Sequence, residues 1–491
     1  PKKEYTRLSD NFYRSKEFKG MLRKFEAARS KGSFPFMDAD DLTDIAEYYF
    51  YHGRTQESLE TIDRTIDMFP GSLHPLAFRA RYAILVNGNA QEAFAYAHQI
   101  SVKEDLAYFY TIAEILIADG KVQEADKYLE EKEAEVDEDD LEDYYLDVAT
   151  LFADYSCIKQ TKYWLAKSSD TDSLDYKELQ GRIAMEQGDF RRSEHIFNHL
   201  IDEDPYANGY WNQLASLQFA QHHLQASIES SDFSLAIDPD DFDAVLNKAN
   251  GLVQLGNYDE ALKYYQRFKT LQPLNEAGDM GMATVYMAQN DRKKAIEALS
   301  RAEQLCPPQS INRIEILRQK FNQLSGDGKY AEALQCLEKI KESQGATQAE
   351  LDVMRGFLFL KQNQVSAAMR CFGQALSSAG DNLDQVTMLV AYAAYECGYI
   401  RYAREQYLKI VDHVDKGSWS GGWAFITLCD HELGDRQSFL ADLKRTVELD
   451  PEAATSFLAT MFPQELSAVD YYAYALQHPR MGAVPYEELK D

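Results

Sequence analysis

An all-α solenoid, an α-α superhelix of antiparallel helix pairs, follows from three features of this 491-residue chain. Pro205, Pro239, Pro273 and Pro307 stand 34 residues apart in a sequence holding only 13 prolines, and a fixed period of that length marks a stacked helical repeat. Numbering the units from residues 174, 208, 242 and 276 brings small residues to the eighth place, Gly181, Ala215, Ala249 and Ala283, and to the twentieth, Ser193, Ser227, Ala261 and Ala295. The fifteenth place carries Gly188, His222, Gly256 and Asn290, the pattern of a chain leaving a helix through a left-handed residue.

Each element then has a cause. Small side chains at the eighth and twentieth places let two helix axes approach closely, where a leucine would push them apart. The fifteenth place is the turn between the two helices. The twenty-fourth is apolar in three units, Phe197, Tyr265 and Leu299, with Ser231 as the exception, and the proline eight residues later stops the second helix. Each unit reads as helix, turn, helix, stop.

The unit from Phe242 to Pro273, with Ala249, Gly256, Tyr258, Ala261 and Tyr265, resembles the tetratricopeptide repeat (TPR), and the preceding unit supplies the tryptophan of that pattern at Trp211, with Leu214 and Ala215. The resemblance implies a right-handed solenoid whose groove recruits protein segments. Some members of that family capture a chaperone's C-terminal carboxylate with Lys, Arg and Asn at fixed inner positions. Here Asn212, Ser216, Asn247, Ala277 and Gly281 occupy the corresponding places, so that mode of docking is disfavoured.

The pattern persists on both sides of the four central units. Before them, Gly53 with Ser58 and Pro70, Gly88 with Ala93, Gly120 with Ala125, and Ile158 with Thr161 and Leu165 each read as a turn and a second helix. After them, Gly328 with Ala333, Gly356 with Ala368 and Phe372, Gly398 with Ala403 and Tyr407, and Trp423 with Gly434 and Pro451 continue it. The total is about twelve helix pairs, with spacings departing from 34 over residues 73–170 and 309–346. Five segments are expected: a basic N-terminal capping helix (1–36), divergent TPR-like repeats (37–204), regular repeats (205–307, the register beginning near 174), further TPR-like repeats (308–451), and a C-terminal cap and tail (452–491). Residues 8–28 form the first cap, with Phe18, Met21, Leu22 and Phe25 on one face; 464–477 form a second short helix, and Pro479–Asp491 an irregular, loosely tethered end.

Composition narrows the function. A net charge of −29 argues against nonspecific nucleic-acid binding, which needs clustered Lys and Arg, and favours basic partners. The charge is uneven, with ten Lys or Arg against four Asp or Glu in residues 1–31. Six scattered cysteines without a CxxC pair suit reduced thiols, and neither a signal peptide nor a membrane-spanning stretch is evident, so a cytoplasmic, acidic protein is expected. Oligomeric state is left open.

At 100° per residue, first-helix places 2, 5, 6, 9, 12 and 13 share the face turned away from the pair's own core, which lines the inner wall of a solenoid. In the central units that face holds Asn212, Ser216, Phe219, Asn247, Asn250, Val253, Gln254, Met280, Thr284 and Met287. Asparagine both donates to and accepts from a peptide backbone, so this ladder is the expected peptide-binding groove, against the alternative that the asparagines are merely solvated or bond neighbouring turns.

Other motifs fail on chemistry. Glu194, His195 and His199 lie on one helix but lack the HExxH order and a third ligand. Gly326–Lys329 reads GDGK, without the first glycine of a phosphate loop and with Tyr330 replacing its Ser or Thr, so it reads as a turn. Gly417–Gly421 places Trp419 where a nucleophile elbow needs serine. Glu130–Asp143 holds ten carboxylates in fourteen residues but no calcium-loop glycine, and reads as a solvated helix end and linker. With no catalytic residue, metal or cofactor indicated, the expected function is a noncatalytic protein-interaction scaffold or adaptor. The alternatives are an accessory or regulatory subunit of an enzyme complex, or a sensor for a small ligand or peptide.

Overall fold

The computed structural model describes residues 12–13, 15–306, 310–343, 346–411, 422–463 and 466–483. Pro1, Pro307, the Gly417–Gly421 motif and residues 484–491 of the tail lie outside these. The chain divides into two compact units, Pro1–Ile316 and Leu317–Asp491. The described residues hold 27 α-helices.

A first helix, Lys16–Arg29 (α1), precedes the pairs. These run Ala39–Tyr51 with Thr55–Met68 (α2, α3), Leu73–Leu85 with Ala90–Ala97 (α4, α5), Leu106–Ala118 with Val122–Glu133 (α6, α7), and Leu141–Asp154 with Ile158–Leu165 (α8, α9). The regular register holds Leu174–Glu186 with Phe190–Glu203 (α10, α11), Asn208–Ala220 with Leu224–Ile237 (α12, α13), Phe242–Gln254 with Tyr258–Leu271 (α14, α15), and Ala277–Ala288 with Arg292–Leu305 (α16, α17). Ile311–Gly326 with Tyr330–Glu342 (α18, α19), Gln348–Lys361 with Val365–Ser378 (α20, α21), Leu383–Glu396 with Ile400–Val411 (α22, α23), and Gly422–Glu432 with Arg436–Leu449 (α24, α25) complete twelve pairs. Pro451–Leu458 (α26) and Tyr471–Gln477 (α27) follow.

The turn chemistry is uniform. Each of the twelve intra-pair turns contains one residue at positive φ, between 54° and 79°. Glycine fills eight of these positions; Ser156, His222, Asn290 and Asn363 fill the others. Gly356, read from sequence as a turn, is not one. It lies inside α20, where a β-carbon would stand 2.5 Å from the Phe372 ring, and the turn is made by Asn363 at φ 58°. Gly356 therefore does what Gly181 does at the eighth place, admitting a twenty-fourth-place ring, Phe197, at 2.9 Å. The turn at Gly328 has φ +75°, which accounts for the GDGK sequence.

Where the twentieth place is serine, a hydrogen bond reinforces the close approach. Ser58 Oγ donates to Ala46 O at 2.6 Å, Ser193 Oγ to Gly181 O at 2.9 Å, and Ser227 Oγ to Ala215 O at 2.7 Å, all three serines being fully buried. Pro205, Pro239 and Pro273 each follow their second helix by two residues. Ser231, the exception at the twenty-fourth place, is buried and donates to Ser227 O at 2.8 Å.

In the first unit the core runs from pair to pair. Phe18 and Phe25 of α1 pack with Leu42, Ile45 and Tyr49 of α2. Phe109, Tyr144 and Trp164 lie in the next cluster, then Phe197 with Leu214, and Tyr265 with Leu299. The unit also closes on itself: at Gly53, the α2–α3 turn, a β-carbon would stand 1.9 Å from Cγ of Pro273, which follows α15. Pair one therefore touches the end of pair seven.

In the second unit Phe372, Val390, Tyr407, Ile426, Phe439 and Leu458 lie in that unit's own core clusters. The start of the expected loose tail is anchored. Arg436 donates to the carbonyls of Ala475 (3.0 Å), His478 (3.1 Å) and Met481, and Met481 is buried against the α25–α27 cluster.

Candidate functional site

The central wall residues do not stand as a free ladder. Asn212 Nδ2 donates to Asp241 Oδ2 at 2.7 Å, and the same oxygen accepts from Asn208 at 3.0 Å and from Ser234 Oγ at 2.6 Å. Asp241 Oδ1 meanwhile caps α14, accepting from the backbone N–H groups of Asp243 and Ala244. Asn247 Nδ2 donates to Ser216 Oγ at 3.2 Å, linking α14 to α12, and Asn250 Oδ1 accepts from Tyr265 OH at 2.7 Å. Hydrogen bonds thus run between successive first helices and into a second helix. Gln254 and Thr284 are exposed, whereas Ser216, Phe219, Val253, Met280 and Met287 are half-buried. Asn212 Oδ1 is buried with no hydrogen-bond partner among the described residues.

A concave pocket of about 830 Å³ opens elsewhere on the first-helix face of the first unit, within the range of roughly 300–1,000 Å³ typical of ligand clefts. Every residue lining it belongs to a first helix or its C-terminal cap: α2, α4, α6, α8, α10 and α14 all contribute. Numbered by the repeat, Asp243 is at place 2, Tyr110 at 5, Phe78 and Asp147 at 6, Arg81, Glu114 and Arg182 at 9, Phe50 at 12, and Tyr51, Leu85 and Asp154 at 13. These are the places expected to face inward. The others, Tyr82, Val86, Leu151 and Tyr155, sit at places 10 and 14 on the flank of the same face.

The polar groups in this pocket are cross-linked between pairs. Arg81 of α4 meets Glu114 of α6 with Nε at 3.0 and 2.9 Å from the two carboxylate oxygens, and Tyr155 OH donates to the same carboxylate at 3.3 Å. Burial, then the Glu114 charge, holds the Tyr155 phenol well above its usual pKa, so it stays a donor. Tyr110 OH donates to Asp147 at 3.0 Å, and Arg182 of α10 to Asp154 of α8 at 2.8 Å. Each bond ties neighbouring first helices together, so the wall is preorganised.

Sequence reasoning pointed to the central stretch of this face, whereas the pocket lies on another stretch of it. The available signal was the cluster of aromatic and charged residues at places 5, 6, 9, 12 and 13 of the first five pairs. The approach of pair seven to pair one adds Asp243 to that lining, and no local pattern encodes it.

The remaining motifs resolve as structure. His195 and His199 are exposed, and among the described residues no three His, Cys, Asp or Glu side chains group to hold a metal ion. The acidic segment is partly engaged: Glu130 accepts from Tyr163 OH at 2.7 Å, Glu133 from Tyr145 OH at 2.9 Å, and Glu142 from Ser168 Oγ at 2.8 Å and Ser169 N at 2.9 Å. No helix among the described residues is long and apolar enough to cross a membrane.

A family model described as tetratricopeptide repeat matches residues 215–276 and 246–310. No curated protein matches. Among solved structures, the Cut9–Hcn1 hetero-tetramer of the APC/C is 13% identical with a TM-score of 0.37, covering 94% of this chain and 93% of that one. YrrB, a TPR protein with an unusual peptide-binding site, is 21% identical with a TM-score of 0.32 over 40% of this chain and 97% of its own. PilF of Pseudomonas aeruginosa is 16% identical with a TM-score of 0.36 over 43% of this chain and 93% of its own. The family match falls on the regular units, and the positive-φ turn of those units recurs in all twelve pairs. Over residues 215–310 the chain carries tetratricopeptide repeats.

Proposed function

We propose that this chain is a noncatalytic interaction scaffold that holds extended segments of partner proteins against its concave first-helix wall. The observation that carries this reading is the common origin of the pocket lining: six first helices present their inward places to one cleft, and their polar groups are already locked by bonds between pairs. A prearranged wall spares the ordering of its own side chains on binding, leaving affinity to backbone hydrogen bonds and aromatic contacts. The reading includes the central stretch Asn212, Ser216, Phe219, Asn247, Asn250, Val253, Met280, Thr284 and Met287 as a continuation of that wall.

Panning a random dodecapeptide library on the full chain tests it. Enriched peptides should lose affinity for a Thr284→Arg, Met287→Arg variant or for a Leu85→Trp variant, which obstruct the central and N-terminal stretches. Failure to enrich any sequence, or enriched peptides indifferent to both variants, removes the reading.

A further inference from the structure

Building on that reading, the geometry points to the pocket between pairs one to five and pair seven as a site for a basic, lysine- or arginine-bearing protein segment in extended form. Four carboxylates line the pocket, Glu114, Asp147, Asp154 and Asp243, against two guanidinium groups, Arg81 and Arg182. Each guanidinium already meets a carboxylate of the same wall, Arg81 with Glu114 and Arg182 with Asp154. The lining therefore carries excess negative charge, concentrated by its concave shape. Aromatic residues complete the lining, among them Phe50, Tyr51 and Phe78, and aromatic rings attract alkylammonium or guanidinium groups while accommodating an aliphatic stem.

Size and continuity favour a protein segment over a free amine. At about 830 Å³ the pocket is far larger than one cationic head group, and its wall continues through α12 and α14 by the Asn247–Ser216 hydrogen bond, so a chain seated here has further wall to follow. An anionic segment would face the four carboxylates with both cations already engaged. The chain's net charge of −29 adds long-range attraction for a basic partner, though that alone does not select this pocket.

The test uses the full chain and three fluorescein-labelled decapeptides of alternating serine with lysine, glutamine or glutamate, read by anisotropy at two salt concentrations. The lysine probe should bind at least about tenfold more tightly than the glutamine probe, and the glutamate probe not at all. Asp147→Asn with Asp243→Asn should weaken the lysine probe about tenfold or more. Glu138→Gln with Asp139→Asn, which removes equal charge from exposed positions, should leave it within about twofold. Leu85→Trp, at a position 42% exposed, should block the pocket without disturbing the core, guarding against a folding artefact in the carboxylate variant.

Equal loss in the pocket and surface charge variants, or equal binding of the lysine and glutamine probes, overturns the proposal. Library peptides that enrich, respond to Thr284→Arg with Met287→Arg, and carry no basic residue overturn it while leaving the scaffold reading intact.

Discussion

Replacing Gly53 by alanine tests the closure that builds the pocket. Gly53 has φ +71°, so any side chain there carries the strain of a left-handed backbone, about 1 kcal/mol. Gly256 and Gly120 have φ +76° and +79° with nothing within 4 Å of an added β-carbon, so their alanine variants report that strain alone. At Gly53 the new methyl would lie 1.9 Å from Cγ of the Pro273 ring, and must move by more than an ångström to reach ordinary contact. Overpacking of that kind typically costs about 1–3 kcal/mol, bringing Gly53→Ala to roughly 2–4 kcal/mol against about 1 kcal/mol for the controls. Repeat arrays unfold locally, so the assay is hydrogen exchange of α2 and α3 rather than a single melting temperature. The same variant should weaken the lysine probe while Gly256→Ala leaves it unchanged. If Gly53→Ala behaves like the controls in both readouts, the contact between pair one and pair seven does not form and the pocket loses its far wall.

Three further outcomes follow from local chemistry. Ser227→Ala removes a buried 2.7 Å bond to the Ala215 carbonyl and should destabilise α12–α13 by about 1–2 kcal/mol in exchange measurements. His222→Gly relieves a histidine at φ 60° and should raise the exchange stability of α12 and α13 by up to about 1 kcal/mol. His431 is 1% exposed and burial pushes its pKa down to about 4 from 6.5, so the unfolded chain takes up its proton first. Its contribution is therefore lost as pH falls from 6.5 towards 4, by about 3 kcal/mol. Asp430 beside it has the opposite sign: burial, with Asp442 nearby and Arg404 opposing, raises its pKa, so its contribution is lost as pH rises through that raised value. In the wild type the two contributions oppose and largely offset each other, so in His431→Gln the exchange stability of α24 and α25 should rise on mild acidification more steeply than in the wild type.

The repeat was legible because its constraints are local. A proline two residues past a second helix, a residue able to take positive φ, and a small residue wherever two helices touch leave marks at fixed spacing. Gly356 was misplaced because glycine serves two of those needs, and only the Phe372 ring beside it distinguishes a packing glycine from a turn glycine. Asn363 carries the turn without the glycine signal. The 100° rotation picks out the same places that line the pocket in pairs one to five and pair seven. The partners of the asparagines were not legible, since Asp241 both caps α14 and gathers Asn208, Asn212 and Ser234 from a neighbouring pair. Nor was the pocket, because Asp243 joins the same lining as Tyr51 only through the winding of seven pairs.

Photocrosslinking tests the concave wall most directly. A lysine–serine probe carrying a central benzoylphenylalanine would be irradiated with the full chain and its adducts located by mass spectrometry. The account predicts adducts on first-helix residues around Tyr51, Leu85 and Leu151, lost in Asp147→Asn with Asp243→Asn. Adducts concentrated instead on the outer, exposed Tyr163 and Tyr206 would contradict it.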